Sequence, residues 1–268
     1  MVTVVKVGGS LLKIGLPENI LSDFCKALQE EKLVLVHGGG YEVTEIAEKL
    51  GKKQKFIVSP EGMRSRYTDR ETVEIYTMVM KGKINSEIVL ALEGKGVKAV
   101  GISGFDGKLL VAERKKRLLT VDERGRRVAI EGGYTGKIIS VNSAILEILL
   151  EKDYVPVISP IAIGTEGEPL NIDGDRAAAY IAGGLKADRV VFLTDVSGVL
   201  IDGQLVKELT LADANTSMRK VGHGMDKKIL AAIEAIEHGA KESIISSGGL
   251  DNPITNSLKG ENRTVIKK

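Results

Sequence analysis

The chain has 268 residues with 38 basic and 36 acidic side chains, so its formal net charge of +2 gives nucleic acid no obvious reason to bind. Its single cysteine, Cys25, excludes an intramolecular disulfide and any CxxC metal site. No apolar stretch approaches the roughly 20 residues that span a bilayer, and the N-terminal run is too interrupted by charge and glycine for a signal peptide; a cytoplasmic location is expected.

Strands and helices alternate for most of the length, which predicts an α/β fold with a largely parallel sheet covered by helices. The segment "VTVVKVGGS" predicts a strand over Val2–Val7 that turns at Gly8-Gly9 toward a helix beginning near Pro17. Cys25 shares an apolar face of that helix with Ile20, Leu21, Phe24 and Leu28, and is read as core. A second strand, Leu33–Val36, runs into Gly38-Gly39-Gly40 and a helix carrying Val43, Ile46, Ala47 and Leu50, stopped by Gly51. A helical region from Glu71 to Glu93 is punctuated at Gly82, and Val97–Ser103 reads as the next strand. From Gly107 to about Ile139 short alternating strands are predicted, with "TVDERGRRVAI" a hairpin around Arg124-Gly125. A helix over Ser143–Leu150, an apolar strand "VPVISPIAI", a hairpin ending at "PLNIDGD", the helix Arg176–Leu185 and the strand "RVVFLTD" follow. After "VSGVLIDGQLVKEL", a helix from about Asp226 to His238 and the strand "ESIIS" close the predicted fold. A boundary near residues 170–175 separates two lobes that share one sheet.

Gly8-Gly9 and Gly38-Gly39-Gly40 each end a predicted strand just before a helix, the edge of an open α/β sheet where ligands bind. Glycines there let backbone N–H groups approach anionic oxygens, and the helix N-terminus that follows favours negative charge. The common nucleotide signatures are missing: "GGYTGKI" fails the Walker pattern in spacing and in its final hydroxyl, and no GxGxxG opens a helix. Lysines carry the remaining information. Lys6 interrupts an apolar strand, where a buried ammonium is costly, and "GMDKK" sets Lys227-Lys228 at the start of a late helix. Each is either solvated or one of a pair of fixed charges around a transferring phosphoryl group. Asp175 in "NIDGD" is placed to hold both ammonium groups; magnesium ligation or helix capping are the alternatives for Asp173 and Asp175, with Asp173 read as structural.

Taken together, "VVKVGGS", "VHGGG", "GMRSRYTD", "PLNIDGDRAA", "LTDVSGVL" and "GMDKK" resemble, in order and over nearly the whole chain, the amino acid kinase family. Within it the likeness is to the N-acetylglutamate kinase branch, and there to kinases whose substrate is tethered to a small acidic LysW-type amino-group carrier protein in lysine and arginine biosynthesis. The resemblance implies a three-layer αβα sandwich around a mainly parallel sheet of about eight strands, in a single domain of 1–268 that dimerises. Residues to about 172 would bind the carboxylate substrate, and residues from about 173 would bind ATP with its magnesium. It implies that Lys6 and Lys228 stabilise the transition state, that Asp175 organises them, and that Gly8 and Gly9 lie under the transferring phosphate. Gly39, Gly40 and Asn171 would meet the substrate; Thr194, Asp195 and Gly198 would contribute to the nucleotide pocket. No metal is expected on protein ligands. None of the three histidines, His37, His223 and His238, is needed as a base, because a side-chain carboxylate is already ionised near neutrality. His37 is expected to brace the glycine loop.

Relatives acting on N-acetylglutamate carry a segment reading roughly Gly-x-Arg-x-Thr-Asp, whereas this chain has "GMRSRYTD", two residues longer. Counting back from Thr68-Asp69, Arg66 takes the place of the substrate-binding arginine, and Arg64 is an added cation. Apart from any resemblance, "ERKKRLLTVDERGRR" holds seven basic and three acidic residues in a predicted hairpin. That is either a solvated face, a nucleic-acid contact or a surface that attracts an acidic partner with a salt-dependent on-rate. The resemblance supplies such a partner, and Arg114, Lys115 and Lys116 in "AERKK" are expected to dock it. The resulting expectation is an ATP-dependent kinase for the side-chain carboxylate of carrier-linked 2-aminoadipate or glutamate; the alternative is a kinase for free N-acetylglutamate. A non-catalytic sensor of the same fold would not need Lys6, Lys228 and Asp175 together.

Overall fold

A computed structural model describes residues 1–60, 62–122, 124–218, 220–222, 224–260 and 262–268. An eight-stranded sheet runs through it in the order Glu208–Thr210, Arg263–Lys267, Glu242–Ser247, Arg189–Thr194, Val2–Val7, Lys32–His37, Val155–Ser159, Ala99–Ser103. All neighbours are parallel except Arg263–Lys267 against Glu242–Ser247. Successive side chains of a strand point to opposite faces, and here both faces are covered. Val4, Val34 and Val36 pack against the helices Gly174–Gly184 and Met225–Glu237, while Val5, Val7, Leu33 and Leu35 pack against Glu18–Ala27 and the helical stretch from Arg70 to Glu93. The result is the expected three-layer sandwich, with near-continuous apolar strands at its centre. Each fully buried valine or leucine contributes roughly 1.5–3 kcal/mol. Cys25 joins the second of these apolar clusters from a partly buried position.

Three departures from the sequence reading have local causes. "VPVISPIAI" is not one strand: Pro160 has no N–H for a ladder, and the chain divides there. Val155–Ser159 stays in the central sheet, and Ile161–Gly164 enters a four-stranded satellite sheet with Pro169–Asn171, Leu110–Arg114 and Gly136–Val141. The helix opened by the Asp69 cap on Thr72 N is not broken at Gly82; it widens into a π-helical segment over Met78–Asn85. Nor does the fold close at Glu242–Ser247, because Pro253–Lys259 adds a helix and Arg263–Lys267 inserts a further strand in which Thr264 and Ile266 are buried. The hairpin around Arg124-Gly125 pairs Arg117–Val121 with Arg127–Glu131, with Glu123 outside the described residues. Both sides of the expected lobe boundary share the sheet, since Val2–Val7 lies directly between Lys32–His37 and Arg189–Thr194. No helix is long and apolar enough to cross a membrane among the described residues.

Candidate active site

Parallel strands deliver their carboxyl ends to one edge, and register decides which loops meet there. Val7 pairs with His37, so Gly8-Gly9 and Gly38-Gly39-Gly40 leave the sheet side by side. Their backbones touch. A Cβ on Gly9 would lie 2.8 Å from Gly39 N, and one on Gly38 would lie 2.5 Å from Gly9 N. Gly39 also has φ 158° and no room for a Cβ beside Ile84. The backbone nitrogens of Gly9, Gly39 and Gly40 therefore lie close together, and no described residue accepts from their N–H groups. Gly8 differs, because its N–H donates to Leu193 O at 3.1 Å. This is a cradle for an anion, filled by neither side chain nor internal hydrogen bond.

Lys6 lies two residues beyond Val4 on the same face of its strand, which aims it at the helix Gly174–Gly184. Its Nζ is 2.6 Å from Asp175 Oδ1, and Lys228 Nζ, from the first turn of Met225–Glu237, donates to Oδ2 at 3.3 Å. Asp173 caps the Asp175 helix by accepting from Asp175 N and Arg176 N, a structural role. Burial pushes the Asp175 carboxyl up, but the charges of Lys6 and Lys228 more than offset this and hold it below the usual carboxylate value. Three charges from distant parts of the chain thus form one buried bridge of net charge +1.

A cleft of about 830 Å³ opens over this bridge, lined by Lys6, Asp175, Gly9, Gly39 and Gly40 on one side and by Arg66, Asn171 and Lys115 on others. Arg66 extends from the short hairpin of Phe56–Val58 with Arg64–Arg66 and donates to Gly40 O at 2.6 Å, to Thr44 Oγ1 at 2.8 Å and to Gln54 Oε1. All three are neutral acceptors. Among the described residues no carboxylate pairs with Arg66, and burial pulls its guanidinium below the ordinary value. Arg64 stacks 3.9 Å from the Phe56 ring centroid. Asn171, which lines the cleft, donates from Nδ2 to Thr68 Oγ1 at 2.9 Å.

The remaining expected residues scatter. Thr194 ends the strand Arg189–Thr194 and donates to Asp195 Oδ1 at 2.8 Å; that bond, with the more distant Lys228 charge, holds Asp195 below the carboxylate range. Neither lines the cleft, and both lie on the Lys228 side of the bridge. Gly198 is packed against Thr264, 2.6 Å from where its Cβ would be. Arg114, Lys115 and Lys116 do not form one patch: Arg114 Nε donates to Gly133 O at 2.5 Å and its guanidinium lies over the Tyr134 ring, Lys115 faces the cleft, and Lys116 is exposed. Burial pulls the Lys115 ammonium down, aided by the nearby charges of Arg176, Lys137 and Lys227 and opposed by that of Asp173.

His37 is buried and offers no catalytic edge to the cleft; its Nδ1 is 2.9 Å from Gly38 O, and burial lowers its pKa to about 4. His238 stacks on Tyr180, and His223 is outside the described residues. Two further residues take structural places that the sequence did not give them. Lys227 Nζ donates to Arg64 O at 2.7 Å, tying the late helix to the Arg66 hairpin. Asn85, buried in the π-helical segment, donates to Val157 O at 2.9 Å and approaches His37 Nε2 at 3.2 Å. Asn85 sits among Lys81, Lys83, Ser86 and Glu87, so nothing in the sequence singled it out. Among the described residues no group of three His, Cys, Asp or Glu side chains is arranged to hold a metal.

Comparison with known proteins identifies the family and the fold. The model of the amino acid kinase family matches residues 1–247. A relative from Cenarchaeum symbiosum is 54% identical over 266 residues, which is 99% of each chain. The [LysW]-aminoadipate/[LysW]-glutamate kinase of Saccharolobus solfataricus is 46% identical over 264 residues, 98% of each chain. Among solved structures, a carbamate kinase from Giardia lamblia bound to AMP-PNP superposes with a TM-score of 0.70 at 19% identity, covering 100% of this chain and 98% of that one. With a family model matching residues 1–247 of its 268, the chain belongs to the amino acid kinase family.

Proposed function

We propose that the chain transfers the γ-phosphoryl group of ATP to the side-chain carboxylate of 2-aminoadipate or glutamate carried on a small acidic LysW-type protein. The products are an acyl phosphate and ADP. One observation carries this reading: the Lys6–Asp175–Lys228 bridge, with two ammonium groups on one carboxylate beside the closely spaced backbone nitrogens of Gly9 and Gly39. In a phosphoryl transfer the substrate carboxylate oxygen forms the new bond to phosphorus while the bond to the ADP oxygen breaks, and charge spreads over the equatorial oxygens. Lys6 and Lys228 would face those oxygens from opposite sides, with Asp175 preventing either from drifting to solvent. Gly9 and Gly39 would supply N–H donors, and Arg66 would clamp a second carboxylate of the substrate in bidentate fashion. No general base is required, because the attacking carboxylate is already ionised.

Residues from about 173 onward, including Thr194, Asp195 and Gly198, are assigned to the nucleotide, and those before it to the carboxylate substrate. Magnesium would arrive on the nucleotide phosphates. The reading includes a homodimer, expected by light scattering at twice the 28.8 kDa chain mass. ADP formation measured with ATP and three acceptors, carrier-linked 2-aminoadipate, carrier-linked glutamate and free N-acetylglutamate, tests it. Turnover is expected with the carrier-linked acceptors; turnover with the free acetylated acceptor alone makes the chain an N-acetylglutamate kinase instead. The two carrier-linked substrates differ by one methylene, which a pocket discriminates by only about 1–3 kcal/mol, so both are expected to react.

A further inference from the structure

Asn85 and His37 have no contact with the cleft, yet together they determine how one of its walls is oriented. Gly38 O can only accept, so His37 Nδ1, 2.9 Å away, donates to it. In a neutral ring Nε2 is then unprotonated, and the Asn85 amide 3.2 Å away donates to it. Burial favours that neutral form, and both side chains are almost completely buried. Asn85 is itself fixed by its bond to Val157 O and by Gly101, whose missing Cβ leaves the space that Asn85 Oδ1 occupies. In a trans peptide the carbonyl and the next N–H point in opposite directions. Anchoring Gly38 O toward the interior therefore turns Gly39 N–H outward, to the side where Gly9 lies.

We propose that Asn85 and His37 are positioning residues, a buried hydrogen-bond relay that sets the Gly38–Gly39 peptide plane and so aims Gly39 N–H at the transferring phosphoryl oxygens. This rests on the phosphoryl-transfer reading above. An N–H in that role is worth most in the transition state, so losing its aim lowers kcat more than it raises the KM for ATP.

The experiment measures ADP formation by the full chain with ATP and a carrier-linked acceptor. His37→Leu and Asn85→Leu are expected to lower kcat roughly 10–100-fold while the KM for ATP moves less than about threefold. His37→Asn restores an N–H at the Nδ1 position and is expected to keep kcat within about threefold of the parent, whereas His37→Gln does not. Near-parental kcat in His37→Leu, or His37→Asn falling as far as His37→Leu, overturns the relay. Should the leucine variants fail to fold, Asn85→Ser carries the same decision. ¹⁵N NMR of the parent's histidine rings gives a readout free of turnover: Nδ1–H is expected for His37, and an Nε2–H tautomer overturns the proposal. A parent that turns over alongside insensitive variants sinks the relay alone; a parent that forms no ADP with any acceptor sinks the kinase reading and the catalytic role of the relay with it.

Discussion

The two ends of the cleft are built on opposite electrostatic plans. At the reactive end, Lys6, Asp175 and Lys228 satisfy one another inside the protein, on a central strand and the first turns of two packed helices. At the recognition end, Arg66 and Lys115 are half-buried cations at the sheet's periphery: among the described residues Arg66 donates only to neutral oxygens, and Lys115 has no carboxylate in a salt bridge, with Asp173 the one nearby negative charge among several positive ones. A buried charge that already has its counter-ion is preorganised and holds its geometry without ligand; one that lacks it favours whatever anion arrives. On the proposed reading, chemistry would be fixed in the scaffold and selectivity left to groups whose partner comes with the substrate.

Breaking the reactive end should have the largest effect. Lys6→Ala or Lys228→Ala is expected to lower kcat by roughly 10²–10³-fold or more with the fold retained, since Asp175 keeps one lysine in either variant. Turnover and circular dichroism on each variant check this; turnover near the parental rate contradicts the comparison. The same end should dominate the acid stability of the fold. His37 has its pKa lowered from 6.5 to about 4 when folded, so the unfolded chain binds a proton the folded one refuses, and stability rises with pH across that window by about 3 kcal/mol. Asp175 acts in a lower window: its folded value is depressed, so its contribution is lost only as pH falls below the ordinary carboxylate range. Denaturant unfolding at several pH values should show the first slope in the parent and lose it in His37→Asn.

At the recognition end the expected effect is on binding. Arg66→Ala should raise the KM for the carboxylate acceptor roughly 10–100-fold, the equivalent of losing one charged hydrogen-bonding partner, with a smaller change in kcat. Arg66→Lys should not restore it, because an ammonium cannot form the bidentate pair. Smallest of all, Lys116→Glu should lower kcat/KM for a carrier-linked acceptor only a few-fold, an effect that fades with added salt because the side chain is exposed. Reversal at Lys115, which faces the cleft, should cost more and depend less on salt.

Legibility in the sequence followed the same division. Lys6 stood out because a charge interrupts a β-branched strand, and the glycine pairs stood out because they end strands; both are local facts that the parallel sheet turns into proximity. Asp173 was legible as a cap from its place before a helix. What escaped depended on three-dimensional neighbours. Nothing in "AERKK" says that consecutive basic residues face three directions, because that follows from the pleat of Leu110–Arg114 and from Tyr134 lying across it. Asn85 is invisible without knowing that Gly101 and His37 surround it. The strand Arg263–Lys267 was missed because five residues give little periodicity, and only the open edge of Glu242–Ser247 calls for them.

Lys227 and Lys228 are consecutive residues of one helical turn, and so diverge by about 100° around its axis. One grips a carbonyl of the Arg66 hairpin and the other grips the central carboxylate. A single turn of helix does not bend easily, so the position of the hairpin and that of the Lys228 ammonium are tied together through one short stretch of backbone.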